Sequence, residues 1–516
     1  MLLQALIGLG PLLAAYPPVW HRPVAPAPTA LAERVVGKFD LPVWARDARW
    51  YYVDVARFHN GEKSNDPPDT RDWTTEWPGS TGSAKDQPSA AELDARSYGG
   101  DLQGLRARLP YLKELGVNTL LVGPILLRTL PGSPTGPDPQ FAEIVKEAHK
   151  AGFRVVLWTE SGQAAQAHED EIFLLNTMRH WLDAFRDNEP SEGIDGWLLR
   201  GGAEIRHKFW KEWRLWLKAM NRQALLIADV RGDPSQWLAG DELDVVINDD
   251  ASEAIARFFA NPENYPVQKF FDDLADIRKR QPLELQLAAP TSLGSLNGPR
   301  PATVFSTPHA TGNGPAAPAD KPAETAGDAL RLALAFQHCY VGAPLTYYGD
   351  EAGMLGGAGA LRRAPMWWPD LPDTSSRPPT NPGDLRPLLS WLHLRRELHA
   401  PLRYGEFRTV LLDEPRRLLA FSRFLPGDEV IVVINYGSTK QEVTLHAGRP
   451  GQLIGVLIPQ LKPAQGKDAV AKRDGLKFAS IRMNGSRQFV SDQGDIHFWI
   501  GPMSLRLVLI SDKEPR

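Results

Sequence analysis

Apolar positions along the chain follow two alternating periods. Short runs that are apolar at nearly every position suit parallel strands buried on both faces; between them, apolar residues recur every three to four positions, as on one face of a helix. The strand-like runs are Trp50–Val55, Thr119–Val122, Arg154–Trp158, Gly196–Leu199, Leu225–Asp229, Val245–Ile247, a seventh within Leu285–Leu293, and Pro344–Tyr348. Among the helical stretches, Leu102–Leu115 leaves through Gly116 and Phe141–Ala151 is closed by Gly152. Eight such units within about 310 residues predict an α/β fold, a (β/α)8 barrel. After the helix Leu388–Leu398 the period changes to two, in Leu418–Phe424, Val430–Asn435 and on to Leu505–Ile510, the pattern of an antiparallel β-sandwich. The expected organisation is therefore a leading segment 1–40, a barrel over 41–400 and an all-β domain over 401–516. Thr70–Asp94 and Thr307–Gly327 are dense in Pro, Gly, Ser, Thr and Ala and read as mobile surface loops.

Composition narrows the class only a little. With 516 residues, 42% of them apolar and 23% charged, the chain can bury a large core. A net charge of −4 gives no electrostatic case for nucleic acid or an anionic membrane. The single cysteine, Cys339, excludes an intrachain disulfide, and its apolar surroundings Ala335-Phe336-Gln337-His338-Cys339-Tyr340 predict a buried structural thiol. Residues 1–15 form an apolar run of signal-peptide length ending in small residues, too short to span a bilayer and lacking a basic start. Two readings of it stand: export to the periplasm or exterior, or a buried N-terminal arm of a cytoplasmic protein. Residues 16–40 are a Pro- and Ala-rich linker, and no other segment is a membrane span.

Particular stretches carry a family resemblance that periodicity does not. Trp50-Tyr51-Tyr52 with Arg57-Phe58-His59-Asn60-Gly61 is similar to the first strand of neopullulanases and cyclomaltodextrinases. Tyr98-Gly99-Gly100-Asp101 through Leu115-Gly116-Val117 and Pro124-Ile125 resembles the first helix and second strand of the α-amylase superfamily, glycoside hydrolase family 13. Tyr347-Tyr348-Gly349-Asp350-Glu351-Ala352-Gly353-Met354, continued by Arg363-Ala364-Pro365-Met366-Trp367-Trp368 and Leu402-Arg403-Tyr404-Gly405, resembles its eighth-strand signature. These matches keep the family's order from residue 41 to about 440.

The resemblance implies a retaining glycosidase, which sets a carboxylate nucleophile and a carboxylic acid about 5–5.5 Å apart across the anomeric carbon. Position by position, the expected groups are mostly replaced. After the third strand, Trp158 stands for the family's aspartate and Gly162-Gln163 for Asn-His. On the fourth strand, Leu198 stands for the arginine and Arg200 for the nucleophile. On the fifth, Asp229 stands at the general acid. At the seventh, Leu296-Asn297 replaces His-Asp, so Asn297 occupies the transition-state stabiliser's place. An arginine has no nucleophilic electron pair at neutral pH, and its charge opposes a developing oxocarbenium. Leu126–Asp138 is a short turn where relatives wall the glucose subsite, and between Gln163 and Glu169 there is room for only a few residues of the family's domain B. A buried guanidinium needs a partner, so Arg200 is expected to pair with Asp229, joined by Glu160. Trp158, Trp197, Trp367 and Trp368 are the candidate sugar-stacking faces, whereas Trp210, Trp213 and Trp216, three apart on a helix, read as core.

The resemblance also implies a structural Ca²⁺, with Asn60, Glu62, Asn65, Asp66, the Gly99 carbonyl and Asp101 as its oxygen ligands. The alternative is that Asn65-Asp66-Pro67-Pro68 is simply a capped turn. Three functions stay open: a non-hydrolytic protein binding an α-glucan or a protein partner, a surviving glycosidase or transglycosidase using Glu160, Asp229 or Glu204, and a partner-stabilising ectodomain.

Overall fold

The computed structural model describes residues 39–74, 77, 88–123, 139–160, 181–182, 193–294, 296–306, 323–368, 370, 384–446, 453–457, 488–489 and 495–511. Eight parallel strands form one sheet: β1 Trp50–Asp54, β2 Thr119–Gly123, β3 Arg154–Glu160, β4 Gly196–Arg200, β5 Leu225–Ala228, β6 Val245–Val246, β7 Pro290–Ser292 and β8 Ala343–Tyr347. Their order, β6-β5-β4-β3-β2-β1-β8-β7, is that of a barrel opened between β6 and β7. Those are also its shortest strands, and the Asn248 N–H donates across the gap to the Pro290 carbonyl at 2.9 Å. The result is a (β/α)8 barrel.

The helices form where the sequence caps them. Helix α1, Leu102–Leu115, begins at Asp101, whose carboxylate accepts from the Gly104 N–H. It ends at Gly116, held at φ +92°, a left-handed conformation glycine adopts without penalty. Helices α2 Pro139–Lys150, α3 His207–Met220, α4 Asp249–Ala260, α5 Val267–Lys279, α6 Ala323–Cys339 and α7 Arg386–Leu398 complete the outer layer. On α3, Trp210 and Trp213 are fully buried and Trp216 partly so.

Beyond α7 the chain is antiparallel: β9 Glu406–Asp413, β10 Leu418–Leu425, β11 Asp428–Asn435, β12 Gln441–His446, β13 Leu453–Leu457, β14 Gln488–Phe489, β15 Asp495–Ile500 and β16 Ser504–Ser511. Six strands form one sheet, and β12 with β15 a second. Strand β10 shows why two cores result. Leu418 and Ala420 pack with Val443, Leu445, Ile496 and Ile500 between the sheets, while Leu419 and Phe421 on the other pleat face join the barrel's core.

The seventh strand, Pro290–Ser292, falls within the expected Leu285–Leu293, whose first residues belong to the helix Leu283–Ala288. Two expectations need correction. Part of the Thr70–Asp94 loop is packed: Trp73 Nε1 donates to the Met366 carbonyl, Trp77 Nε1 to the Leu361 carbonyl, and Ala90–Asp94 is a helix closed by a Ser89/Glu92 capping box. Residues 323–327, placed in the second loop, begin α6. Residues 1–38, the turn at 126–138, Gln163 and the short connection after it lie outside the described residues. Among the described residues no helix is long and apolar enough to cross a membrane.

Candidate functional site

The C-terminal ends of the strands, where barrels of this kind carry their sites, converge on a layer of aromatic rings and guanidinium groups. Tyr52 on β1 lies 5.3 Å from Trp158 on β3 and stacks at 4.5 Å on Tyr347 of β8. Because β1 and β3 are not neighbours, a contact between them runs across the barrel's interior. The Arg200 guanidinium, at the end of β4, lies 5.5 Å from the Trp158 ring, and that of Arg362 lies 4.0 Å from Tyr347. Arg362 and Arg300 both pair with Asp350, at 3.4 and 2.8 Å. Tyr52, Trp158 and Tyr347 are at most 4% exposed, so this stack fills the barrel's mouth. In the sequence Tyr52 and Tyr347 stood only within the family motifs, and Arg362 was not singled out. Their signal was alternation: Tyr52 shares a strand face with Trp50 and Asp54.

Asp229 follows β5 and meets Arg200 there. Arg200 Nε stands 3.7 Å from Asp229 Oδ2, an ion pair by distance but longer than a hydrogen bond. Asp229 Oδ1 accepts from the backbone N–H of Gly201 at 2.6 Å and of Gly202 at 3.3 Å. That approach needs both glycines. Gly201 sits at φ +72°, and a Cβ on Gly202 would fall 2.4 Å from the Ala228 methyl. Burial pushes the Asp229 carboxyl up from the ordinary carboxylate range, against the opposing pull of Arg200 and of the Gly202 and Gly201 N–H groups. The expected Arg200–Asp229 contact is therefore present. Glu160 is the register partner of Arg200, and its side chain lies outside the described residues. Glu204 sits in a one-turn helix after β4 and is exposed. Beside this pair, the fully buried Asp54 accepts from Arg363 Nε at 2.7 Å, and Arg363 Nη1 reaches Asp94 at 2.7 Å.

Arg200→Leu is expected to lower stability by about 1–3 kcal/mol, between the range for exposed pairs and that for buried ones, since Arg200 and Asp229 are 13% and 25% exposed. Adding Asp229→Leu should recover much of that loss. A single variant that unfolds at the parent's denaturant midpoint would remove the pair from any structural role.

The candidate stacking faces fare differently. Trp197 is wholly buried, because the β4 pleat turns it away from Leu198 and Arg200 into the helical layer; it offers no face to a sugar. Trp368 is equally buried, donating from Nε1 to the Phe58 carbonyl beneath the Arg108 guanidinium. Trp158 is spent in the stack, and Leu296 is buried too. Asn297 is exposed, its carbonyl accepting from the Gly359 N–H at 3.0 Å. Partly open rings remain at Trp73, Trp77 and Trp367.

The loop after β1 brings Asn60, Asp66 and Gly99 together. Asn60 Nδ2 donates to both Asp66 oxygens at 2.9 Å, and a Cβ on Gly99 would fall 2.2 Å from Asp66 Oδ1. Asn60 Oδ1 is buried with no hydrogen-bond partner, as an unfilled ligand position would be. The rest of the expected set is committed elsewhere. Asp101 accepts from the Gly61, Glu62 and Gly104 N–H groups and from Asn65 Nδ2, which uses its lone-pair positions, and Glu62 accepts from Ser64. Among the described residues no three acidic, imidazole or thiol side chains converge on one point.

A (β/α)8 barrel with its polar groups at the strand ends and an antiparallel domain behind it has the architecture of the α-amylase superfamily. Over 481 aligned residues the chain is 30% identical to neopullulanase 2 of Thermoactinomyces vulgaris, covering 80% of this chain and 73% of the relative. To a cyclomaltodextrinase of Thermoanaerobacter pseudethanolicus it is 28% identical over 78% of this chain and 72% of the relative. The fold matches the ligand-free cyclic α-maltosyl-(1→6)-maltose hydrolase of Arthrobacter globiformis with a TM-score of 0.65 at 19% identity, covering 91% of this chain and all of that one. No protein-family model matches the chain. The chain belongs to glycoside hydrolase family 13, among its neopullulanase- and cyclomaltodextrinase-like members.

Proposed function

We propose that this protein binds α-glucans without hydrolysing them. The observation that carries the reading is the Arg200–Asp229 pair at the ends of β4 and β5. By the sequence correspondence, Arg200 stands where the family's nucleophile projects and Asp229 where its acid does. A guanidinium cannot attack an anomeric carbon. Its charge, set at the site of a developing oxocarbenium, raises the barrier. Asp229 keeps a carboxyl of raised affinity for protons but is one methylene shorter than the glutamate it replaces, and a misplacement of about 1 Å costs on the order of 10²-fold. The Trp158–Tyr52–Tyr347 stack leaves the pocket's floor closed, so a glucan is placed on the rim, where Trp73, Trp77 and Trp367 keep partly open faces. The ligand class follows the relatives: some are named cyclomaltodextrinases, and structures of the Arthrobacter enzyme hold cyclic α-maltosyl-(1→6)-maltose or maltose.

Calorimetric titration with maltoheptaose and with cyclodextrins, beside a reducing-sugar assay on starch, pullulan and cyclodextrins, tests the reading. Binding heat with no reducing ends above background is the expected result. A second reading rests on the raised affinity of Asp229 for protons, which a general acid needs: reducing ends that vanish in Asp229→Ala would establish a surviving glycosidase. Absence of heat with every glucan would transfer the function to a protein partner.

A structural Ca²⁺ belongs to the same proposal, held by Asn60, Asp66 and the Gly99 carbonyl with water completing its shell. Chelation by EDTA should lower Tm and Ca²⁺ restore it, with Asp66→Ala abolishing the response. A ligand at 100 times its Kd contributes about 2.7 kcal/mol, so an unchanged melt would reduce the loop to a turn.

A further inference from the structure

Three ion pairs stand around the ends of β4, β5 and β6. Arg200 pairs with Asp229 at 3.7 Å, Arg231 with Glu253 at 3.0 Å, and Arg280 with Asp250. Asp249, the first residue of α4, stands beside these pairs, near Arg231 and Arg200 but in contact with neither. It is 9% exposed, and among the described residues it makes no ion pair and its Oδ1 has no hydrogen-bond partner. A buried carboxylate in this state costs several kcal/mol unless something compensates it.

The structure offers a place for the compensation. Asp249 lines a cavity on the barrel's C-terminal face together with Gln281, which is 8% exposed and whose Oε1 is also without a partner. Both orphaned atoms are acceptors. The other polar side chains of the lining are engaged: Asn248 accepts the Ala251 N–H as the cap of α4, and Arg280 Nη1 donates to Asp250 and to the Gly232 carbonyl. A water could bridge two acceptors, yet it would leave the charge in place. A cation satisfies both oxygens and removes the charge.

We infer that this cavity binds a monovalent alkali cation, Na⁺ or K⁺, through Asp249 Oδ1 and Gln281 Oε1, with carbonyls and water completing the shell. One carboxylate beside one neutral amide oxygen makes a singly charged donor pair, which suits a hard monovalent ion. The N-terminus of α4, carrying its own partial positive charge, keeps the carboxylate oriented without saturating Oδ1. The occupant would tie the loop after β5, which carries Asp229, to the start of α4 and the end of α5. The site is separate from the Asn60/Asp66 loop and from the glucan rim, so it stands or falls independently of both.

The test uses the full chain at pH 7.5 with EDTA present. Thermal melts are compared in KCl, NaCl and N-methylglucamine chloride at equal ionic strength. Tm should be higher by a few degrees in one or both alkali salts, Asp249→Asn should melt alike in all three, and Asp66→Ala should keep the parent's response. Crystals soaked in a thallium(I) salt should show an anomalous peak between Asp249 and Gln281. Equal melts for the parent in the three salts, a response retained by Asp249→Asn, or a cavity holding water alone in the thallium soak would each overturn the inference.

Discussion

Arg423→Met is expected to cost about 3–5 kcal/mol of stability, the range found when a buried charged network loses a member. Arg423 projects from β10 of the C-terminal sheet and is wholly buried, yet no carboxylate pairs with it among the described residues. Its partners are carbonyls: Nη1 donates to Tyr340 at 2.5 Å, Leu402 at 3.2 Å and Cys339 at 3.3 Å, and Nη2 to Gly405 at 2.9 Å. Cys339 ends α6, whose last carbonyls lack intrahelical donors and carry the negative end of the helix dipole. Arg396 on α7 serves the same end, donating to the carbonyls of His338, Leu402 and Gly342. Two guanidinium groups thus cap one helix terminus and join barrel to sandwich. Burial holds the Arg423 guanidinium down at about 10, so methionine relieves a real desolvation cost. It also strands several carbonyls away from water at about 1–3 kcal/mol each, and that loss is larger. Arg423→Lys should recover less than half, because one ammonium cannot span Tyr340 and Gly405 as a planar fork does. Urea unfolding of both variants decides it; a methionine variant within about 1 kcal/mol of the parent, the usual worth of an exposed pair, would dismiss the cap.

The barrel was legible wherever a strand carries its own apolar run. Seven strands lie within a residue or two of their predicted places, and α1 begins and ends where Asp101 and Gly116 indicate. The seventh was placed only to within Leu285–Leu293, because Pro290–Ser292 is three residues long and abuts the apolar helix Leu283–Ala288. At the site, alternation was enough to set Arg200 facing Asp229, since the pleat determines which way residues 198 and 200 point. The same pleat sends Trp197 outward into the helices, away from any sugar. Asp249 was illegible for another reason. In sequence it is half of an Asp-Asp pair opening a helix, ordinary for an N-terminus; only the contact of Arg280 with Asp250 distinguishes the two. At the loop after β1, spacing could not reveal that four N–H groups already meet the Asp101 carboxylate.

Acidification from pH 7 to pH 4.5 is expected to remove about 3 kcal/mol of stability through His338 alone. His338 on α6 and His393 on α7 are buried side by side, their Nε2 atoms 3.3 Å apart. The Nδ1 of His338 faces the Leu334 carbonyl at 2.8 Å and that of His393 the Leu115 carbonyl at 2.9 Å. Burial lowers the proton affinity of both rings, His338 to about 4, with Arg396 adding repulsion. The unfolded chain regains an imidazole near 6.5, so between about 6.5 and 4 it binds more protons than the folded one. Stability from these rings is then complete above about 6.5 and drains as pH falls through that window. At about 1.4 kcal/mol per pH unit of displacement, His338 accounts for roughly 3 kcal/mol. His59 and His399, each held near 4 chiefly by burial, act in the same direction. Asp249 acts against them: its carboxyl is raised to about 6 by burial, so its contribution is lost as pH rises. Asp229, Asp350 and Glu351, whose carboxyls burial also raises, act in the same direction as Asp249 and offset part of the histidines' effect. Denaturant unfolding at pH 7.5, 6, 5 and 4.5 should show the decline, with a shallower slope in the double variant His338→Gln, His393→Gln at the cost of lower stability throughout. An equally steep slope in the double variant would clear the pair and leave the acid sensitivity to the remaining histidines.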